Sequence, residues 1–105
     1  MEKQEFMRLA DECMERVCSW LESFDPDEID FATADGVVTI EFPDGVRYVL
    51  NRQTAAHQMW LAAGVRAWHY DRNDAGEWRS DKDGHELYER ISAVVSEKLG
   101  REVRV

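Results

Sequence analysis

The sequence predicts an α+β two-layer sandwich, with N- and C-terminal helices packed on one face of an antiparallel sheet of about five to six strands. Three observations predict it. Apolar residues recur at helical spacing near the start of the chain and again near its end. Between these stretches lies a train of short alternating runs separated by Asp-Gly and similar turns. At 105 residues, 44% of them hydrophobic, the chain fits one domain, 1–105, with enough apolar matter to close a core.

The first helix is read from Phe6 to Phe24. Phe6, Leu9, Ala10, Cys13, Val17, Trp20, Leu21 and Phe24 follow the i, i+3, i+4, i+7 pattern of an amphipathic helix. Glu5, Glu12, Glu15 and Glu22 share its opposite face, with Asp11 at the border. Asp25-Pro26 ends it, because the residue before proline is pushed out of the helical region. Cys13 and Cys18 point about 140° apart on such a helix and cannot bridge without unwinding it. They are expected to be reduced, partly buried apolar residues.

Six strands follow. Ile29–Ala34 is the first, and Asp35-Gly36 is a hairpin-type turn into Val37–Phe42. Asp44-Gly45 repeats the turn before Val46–Asn51, and His57–Ala62, Ala67–Arg72 and Glu77–Ser80 complete the series. In this alternation Val38, Ile40, Leu50, Met59 and Leu61 face inward, whereas Val49, Asn51, Gln58 and Trp60 face out. Consecutive strands joined by tight turns make an antiparallel meander with one face covered and one wet. The second helix carries the stripe Leu87, Tyr88, Ile91, Val94, Val95 and Leu99, with Gly100 as its C′ residue. Asp83 with Glu86 three residues later predicts an N-cap at Asp83. Val103 and Val105 are expected to tuck between the helices.

Charge narrows the functions. The net charge of −9 argues against nucleic acid and against an anionic membrane surface. No apolar run approaches the roughly 18 residues of a membrane span, and no signal-peptide core follows Met1–Glu5, so a soluble, cytoplasmic protein is expected. Residues 1–30 hold ten acids and three bases, so −7 of the −9 lies there. Asp25, Asp27, Glu28 and Asp30 fall within six residues. Exposed like charges at about 4 Å cost roughly 1 kcal/mol in water. Such a surface is a solvated helix face, a loose site for cations that take oxygen ligands, or a docking patch for a basic partner. Without EF-hand spacing, metal affinity would be on the order of 10⁻⁶ to 10⁻⁴ M, as for loose oxygen sites. His57, His69 and His85 have no zinc spacing: His57 and His85 read as surface polar residues, and His69 with Asp71 on one strand is a minor metal candidate; no glycine-rich phosphate loop is present, and no catalytic residue is assigned. On the wet sheet face, Trp60 beside Asn and Gln amides is a candidate binding anchor, whereas Trp20, Trp68 and Trp78 read as core or half-buried.

Asn51-Arg52-Gln53-Thr54 followed by His57-Gln58-Met59-Trp60-Leu61 resembles the signature of the frataxin family, and of its bacterial CyaY branch in particular. Phe6-x-x-Leu9-Ala10-Asp11, Asp27-Glu28-Ile29-Asp30, Gly36–Ile40, His69-Tyr70-Asp71 and Glu77-Trp78 agree in order, so the similarity runs from about Phe6 to Leu99. The resemblance implies weak binding of ferrous and ferric iron along an acidic ridge. It also implies docking on the cysteine desulfurase and the scaffold protein of iron–sulfur cluster assembly, by a protein that is monomeric unless iron drives oligomers. Ferroxidase activity, attributed to parts of the family, has no di-iron motif here. The ridge carries over onto Asp11, Glu12, Glu15, Glu22, Asp25, Asp27, Glu28 and Asp30, and the exposed sheet positions onto Asn51, Gln53, Gln58 and Trp60. Cys18, Ser19 and Ser23 stand where close bacterial relatives often carry acids, which makes this ridge a thin one.

Overall fold

A computed structural model describes all 105 residues. The chain runs α1 (Lys3–Leu21), β1 (Asp30–Ala34), β2 (Val37–Glu41), β3 (Arg47–Gln53), a 3₁₀ turn (Thr54–Ala56), β4 (Gln58–Ala63), β5 (Arg66–Arg72), β6 (Trp78–Ser80) and α2 (Leu87–Leu99). The six strands form one antiparallel sheet in chain order, each paired with its sequence neighbour. Both helices cover one face, as the hydrophobic pattern predicts.

The core is a single cluster of 23 buried hydrophobic residues. From α1 it takes Phe6, Leu9, Ala10, Cys13, Met14, Val17 and Leu21; from α2, Leu87, Ile91, Val94 and Val95. The sheet contributes rows set by register, such as Val38–Leu50–Leu61–Trp68, running across four strands. Each fully buried side chain of this size stabilises the fold by about 1.5–3 kcal/mol. Phe6 meets Trp78 edge-on at 6.2 Å, which ties the first turn of α1 to the far edge of the sheet.

The strand ends differ from the sequence reading by one or two residues, and the helix boundaries by more. Helix α1 begins at Lys3 and ends at Leu21, three residues short of Phe24. The Ser23 hydroxyl and amide both donate to the Trp20 carbonyl, at 2.6 and 3.1 Å, and this tighter turn unwinds the helix ahead of Asp25-Pro26. Phe24 still packs edge-on against Trp20 at 5.1 Å. The N-cap of α2 is Glu86, not Asp83: the Glu86 carboxylate accepts the Glu89 amide at 2.9 Å. Gly84 adopts φ +73° and Glu86 bridges to Arg79, so the segment stays off the helical path until Leu87. Asp83 instead accepts the His85 amide at 3.0 Å and the Arg90 guanidinium at 2.6 Å. After Gly100 the chain folds back along α2. The Val103 and Val105 amides donate to the Ser96 and Ser92 hydroxyls at 2.9 and 3.0 Å, and Val105 shares a hollow with Arg16 of α1 and Tyr88 of α2.

Candidate functional site

Two surfaces emerge, one acidic and one flat. The acidic surface follows the outer side of α1, crosses the loop after it and ends on β1. Within it the eight sequence-predicted carboxylates divide by what they touch. Asp11 accepts the Arg52 guanidinium at 2.8 Å, Glu12 pairs with Arg8 at 3.1 Å one helical turn away, and Glu28 pairs with Arg101 at 2.6 Å. Glu15, Glu22, Asp25, Asp27 and Asp30 have no basic partner. Two of these bond local backbone: Asp25 caps the Asp27 amide at 2.9 Å and Asp30 accepts the Phe31 amide at 2.8 Å.

Register adds an acid that the sequence reading missed. Asp30 lies directly across from Glu41, so the acidic surface extends onto β2, where only an Arg47 contact at 4.0 Å offsets Glu41. Pro26, Asp27, Asp30, Glu41, Phe42 and Pro43 line a shallow hollow there. The partly exposed Cys18 reports the local field. Burial pushes its thiol pKa up, and the charges of Glu22 and Glu15 push it in the same direction. Cys13 is buried, and its pKa is raised to about 12, so it is an inert core thiol.

Arg52 is the second missed residue, although it sits inside the Asn51–Thr54 motif. Its side chain is 12% exposed and bridges Asp11 of α1 to Asp35 of the β1–β2 turn, at 2.8 and 3.0 Å. The guanidinium lies against Gly36, where an added Cβ would meet it at 3.1 Å, and Gly36 itself adopts φ +73°. Glycine is therefore needed there for both reasons. The pair withdraws Asp11 from the free ridge and fastens the helix to the sheet.

The flat surface is the uncovered sheet face. Val37–Asn51–Trp60–His69 form one cross-strand row, and Gln53–Gln58–Asp71–Arg79 the next. Thr39–Val49–Ala62–Ala67 forms a shelf of small side chains on the other side of Trp60. Trp60 is half-exposed. Its indole N–H donates to Gln58 Oε1 at 3.0 Å, and its ring stacks on His69 with centroids 4.2 Å apart. The Gln58 amide nitrogen donates to Asp71 at 3.1 Å and to Asp81 at 3.2 Å. Asn51 donates weakly to the Arg52 carbonyl at 3.4 Å, and Gln53 is partly exposed beside it. Alternation brings all four predicted positions onto this one face. Trp68 and Trp78 are buried and Trp20 is half-buried.

The chain matches the family model of the frataxin-like domain over residues 1–101. It belongs to the frataxin family. Frataxin from Psychromonas ingrahamii, of the CyaY protein family, superposes with a TM-score of 0.89 at 30% identity, covering 99% of this chain and 97% of that one. Trimeric frataxin from the yeast Saccharomyces cerevisiae, complexed with ferrous iron, gives a TM-score of 0.76 at 30% identity, with 89% and 87% covered. A further yeast frataxin structure matches at 0.76 and 27% identity over 92% and 82%. The frataxin fold thus accounts for both helices and the whole sheet.

Oxygen donors on an open frataxin surface are chemically suited to ferrous or ferric iron. Their spacing is loose, and no three His, Cys, Asp or Glu side chains converge into a ligand set. No helix is long and apolar enough to cross a membrane.

Proposed function

We propose that this frataxin-family chain is an iron-binding accessory and regulatory protein of iron–sulfur cluster assembly, acting in the cytoplasm. The observation that carries the reading is the run of five carboxylates without basic partners, Glu15, Glu22, Asp25, Asp27 and Asp30, bordering a flat face centred on Trp60. Its iron is cargo, held loosely and released readily. Weak, exchangeable binding follows from carboxylates that share no enclosed cage. The same negative field steers the protein toward a basic groove on the cysteine desulfurase. Asn51, Gln53, Gln58 and Trp60 then supply short-range contacts to the desulfurase–scaffold complex. The protein works as a monomer, and oligomers form only with iron. It performs no catalytic step of its own.

Glu22→Lys combined with Asp30→Lys tests the ridge. Amide NMR during iron titration should lose its residue-specific broadening along α1 and β1, and desulfurase binding should weaken. Undiminished broadening and binding in the double variant would sink the ridge assignment.

A second reading is supported by the ion pairs. Asp11 and Glu28, like Asp35 next to the ridge, already hold arginines of their own chain, so this surface suits guanidinium groups. In that case the chain is an acidic interaction module without a metal role. Iron would then broaden no ridge amide in the unmodified protein, while desulfurase binding stayed sensitive to the double substitution.

A further inference from the structure

The two edges of the sheet are unlike. At β6 the strand is three residues long, Glu86 bridges to Arg79, and the Ser80 amide donates to the His85 carbonyl at 3.0 Å, so the lead-in to α2 covers that edge. At β1 nothing covers it. Asp30–Ala34 pairs with β2 on one side only, in unbroken register, and Ala32, Thr33 and Ala34 are exposed. The strand has no lysine, no proline and no bulge, the usual guards of an open edge. The two-residue turn Asp35-Gly36 makes Ala34–Val37 a hydrogen-bonded pair. The alternation of an antiparallel ladder then points the amides and carbonyls of Phe31 and Thr33 away from β2. The Phe31 amide agrees: it donates to the Asp30 carboxylate at 2.8 Å.

A cleft of about 310 Å³ opens between this edge and α1, lined by Met14, Cys18, Thr33 and Val38 with Glu15 and Arg52. It lies on the helix side of the sheet, where Phe31 and Thr33 stand opposite the buried Ile40 and Val38. The charges around the edge are mostly of one sign. Glu15 and Asp30 have no basic partner, Glu41 has only Arg47 at 4.0 Å, and Asp35 shares Arg52 with Asp11. Two copies pairing edge to edge would bring Asp30 of each toward Asp35 of the other, at a net charge of −9 per chain. That charge turns a second copy away and favours a strand that carries cations.

We propose that the β1 edge takes up an extended, basic segment of a partner protein as an added antiparallel strand. Its aliphatic side chains turn into the cleft, and its lysines or arginines lie beside Asp30 and Glu41. Backbone hydrogen bonds to Phe31 and Thr33 supply affinity, and the cleft supplies selectivity. Asp30 releases the Phe31 amide as the strand arrives. In such a pair, the residue opposite Thr33 shares its face and exchanges both backbone bonds with it. The aliphatic residues are therefore the ones whose amides face β1. Neither iron nor the Trp60 face takes part.

The test is an amide NMR titration of the metal-free protein with a blocked synthetic peptide of about seven residues, alternating valine and lysine. Exchange of the Phe31 and Thr33 amides should slow, with shifts along β1 and at Cys18. N-methylation of the valine nitrogens should abolish binding, whereas N-methylation of the lysine nitrogens should leave it. Replacing the lysines by glutamates should also abolish it. Thr33→Pro, suited to an edge because this N–H does not serve the ladder, should weaken binding about two- to ten-fold, the effect of one hydrogen bond. The methylated peptides decide the matter if that variant fails to fold. Equal binding of both methylated peptides, or unchanged exchange at Thr33, would overturn strand addition and leave only attraction of a cation to an acidic surface. Slow β1 exchange in a free protein that sediments as a dimer would give the edge to a second copy and overturn the choice of occupant.

Discussion

Trp60 is held on two sides, by Gln58 at its ring nitrogen and by His69 across its face, yet remains partly open to solvent. An aromatic ring fixed this way on a rigid sheet has the character of an interface anchor, since little freedom is left to lose. Trp60→Ala should weaken binding to the desulfurase–scaffold complex by about thirty-fold, the effect of losing a hot spot of about 2 kcal/mol. Its far-ultraviolet circular dichroism should match that of the unmodified protein. A different side chain controls acid behaviour. Arg90, and then the His85 amide, hold the Asp83 carboxyl down to about 2 against an ordinary 3.8. Because its folded-state pKa is depressed, Asp83 contributes stability above about pH 4, and this is lost as pH falls toward 2. Urea midpoints of the unmodified protein and Asp83→Asn should therefore differ above pH 4 and converge as pH falls toward 2.

At the scale of elements, the strands were legible because side-chain alternation has a period of two and Asp-Gly turns mark where each run stops. Val38, Ile40, Leu50 and Leu61 are buried as that pattern requires. The start of α2 was misplaced for a physical reason. Asp83 and Glu86 stand at capping-box spacing, but Gly84 in the left-handed region breaks the path between them and passes the cap to Glu86. Glu86→Ala should cost about 0.5–2 kcal/mol, as loss of an N-cap does, and a urea denaturation series would measure it. The acidic face of α1 was equally legible, since four glutamates at helical spacing need no tertiary information. Its pairing was not. Arg52 reaches Asp11 from 41 residues away and Arg101 reaches Glu28 from 73, and no local pattern carries contacts of that range. Nor does any local pattern pair His69 with Trp60: only the β4–β5 register places the two side by side.

For the whole molecule, the two surfaces should answer differently to salt. Docking by an exposed carboxylate field is screened within a Debye length, about 10 Å at 0.1 M and 3 Å at 1 M, whereas contacts of a half-buried ring are not. Calorimetry of desulfurase binding across that range should show affinity falling with added salt. Trp60→Ala should shift the curve downward without changing its slope, and Glu22→Lys with Asp30→Lys should flatten it. Equal slopes for all three would separate the acidic surface from docking. The strand order has a consequence for how the chain is made. Each strand pairs with the one before it, so the sheet can zip up hairpin by hairpin as it leaves the ribosome, with little loop-closure entropy at each step. Helix α1 emerges before any of it, with seven residues destined for the core and nothing yet to bury them against. Through that interval the apolar stripe of α1 has only the glutamates of its other face to keep it compatible with water.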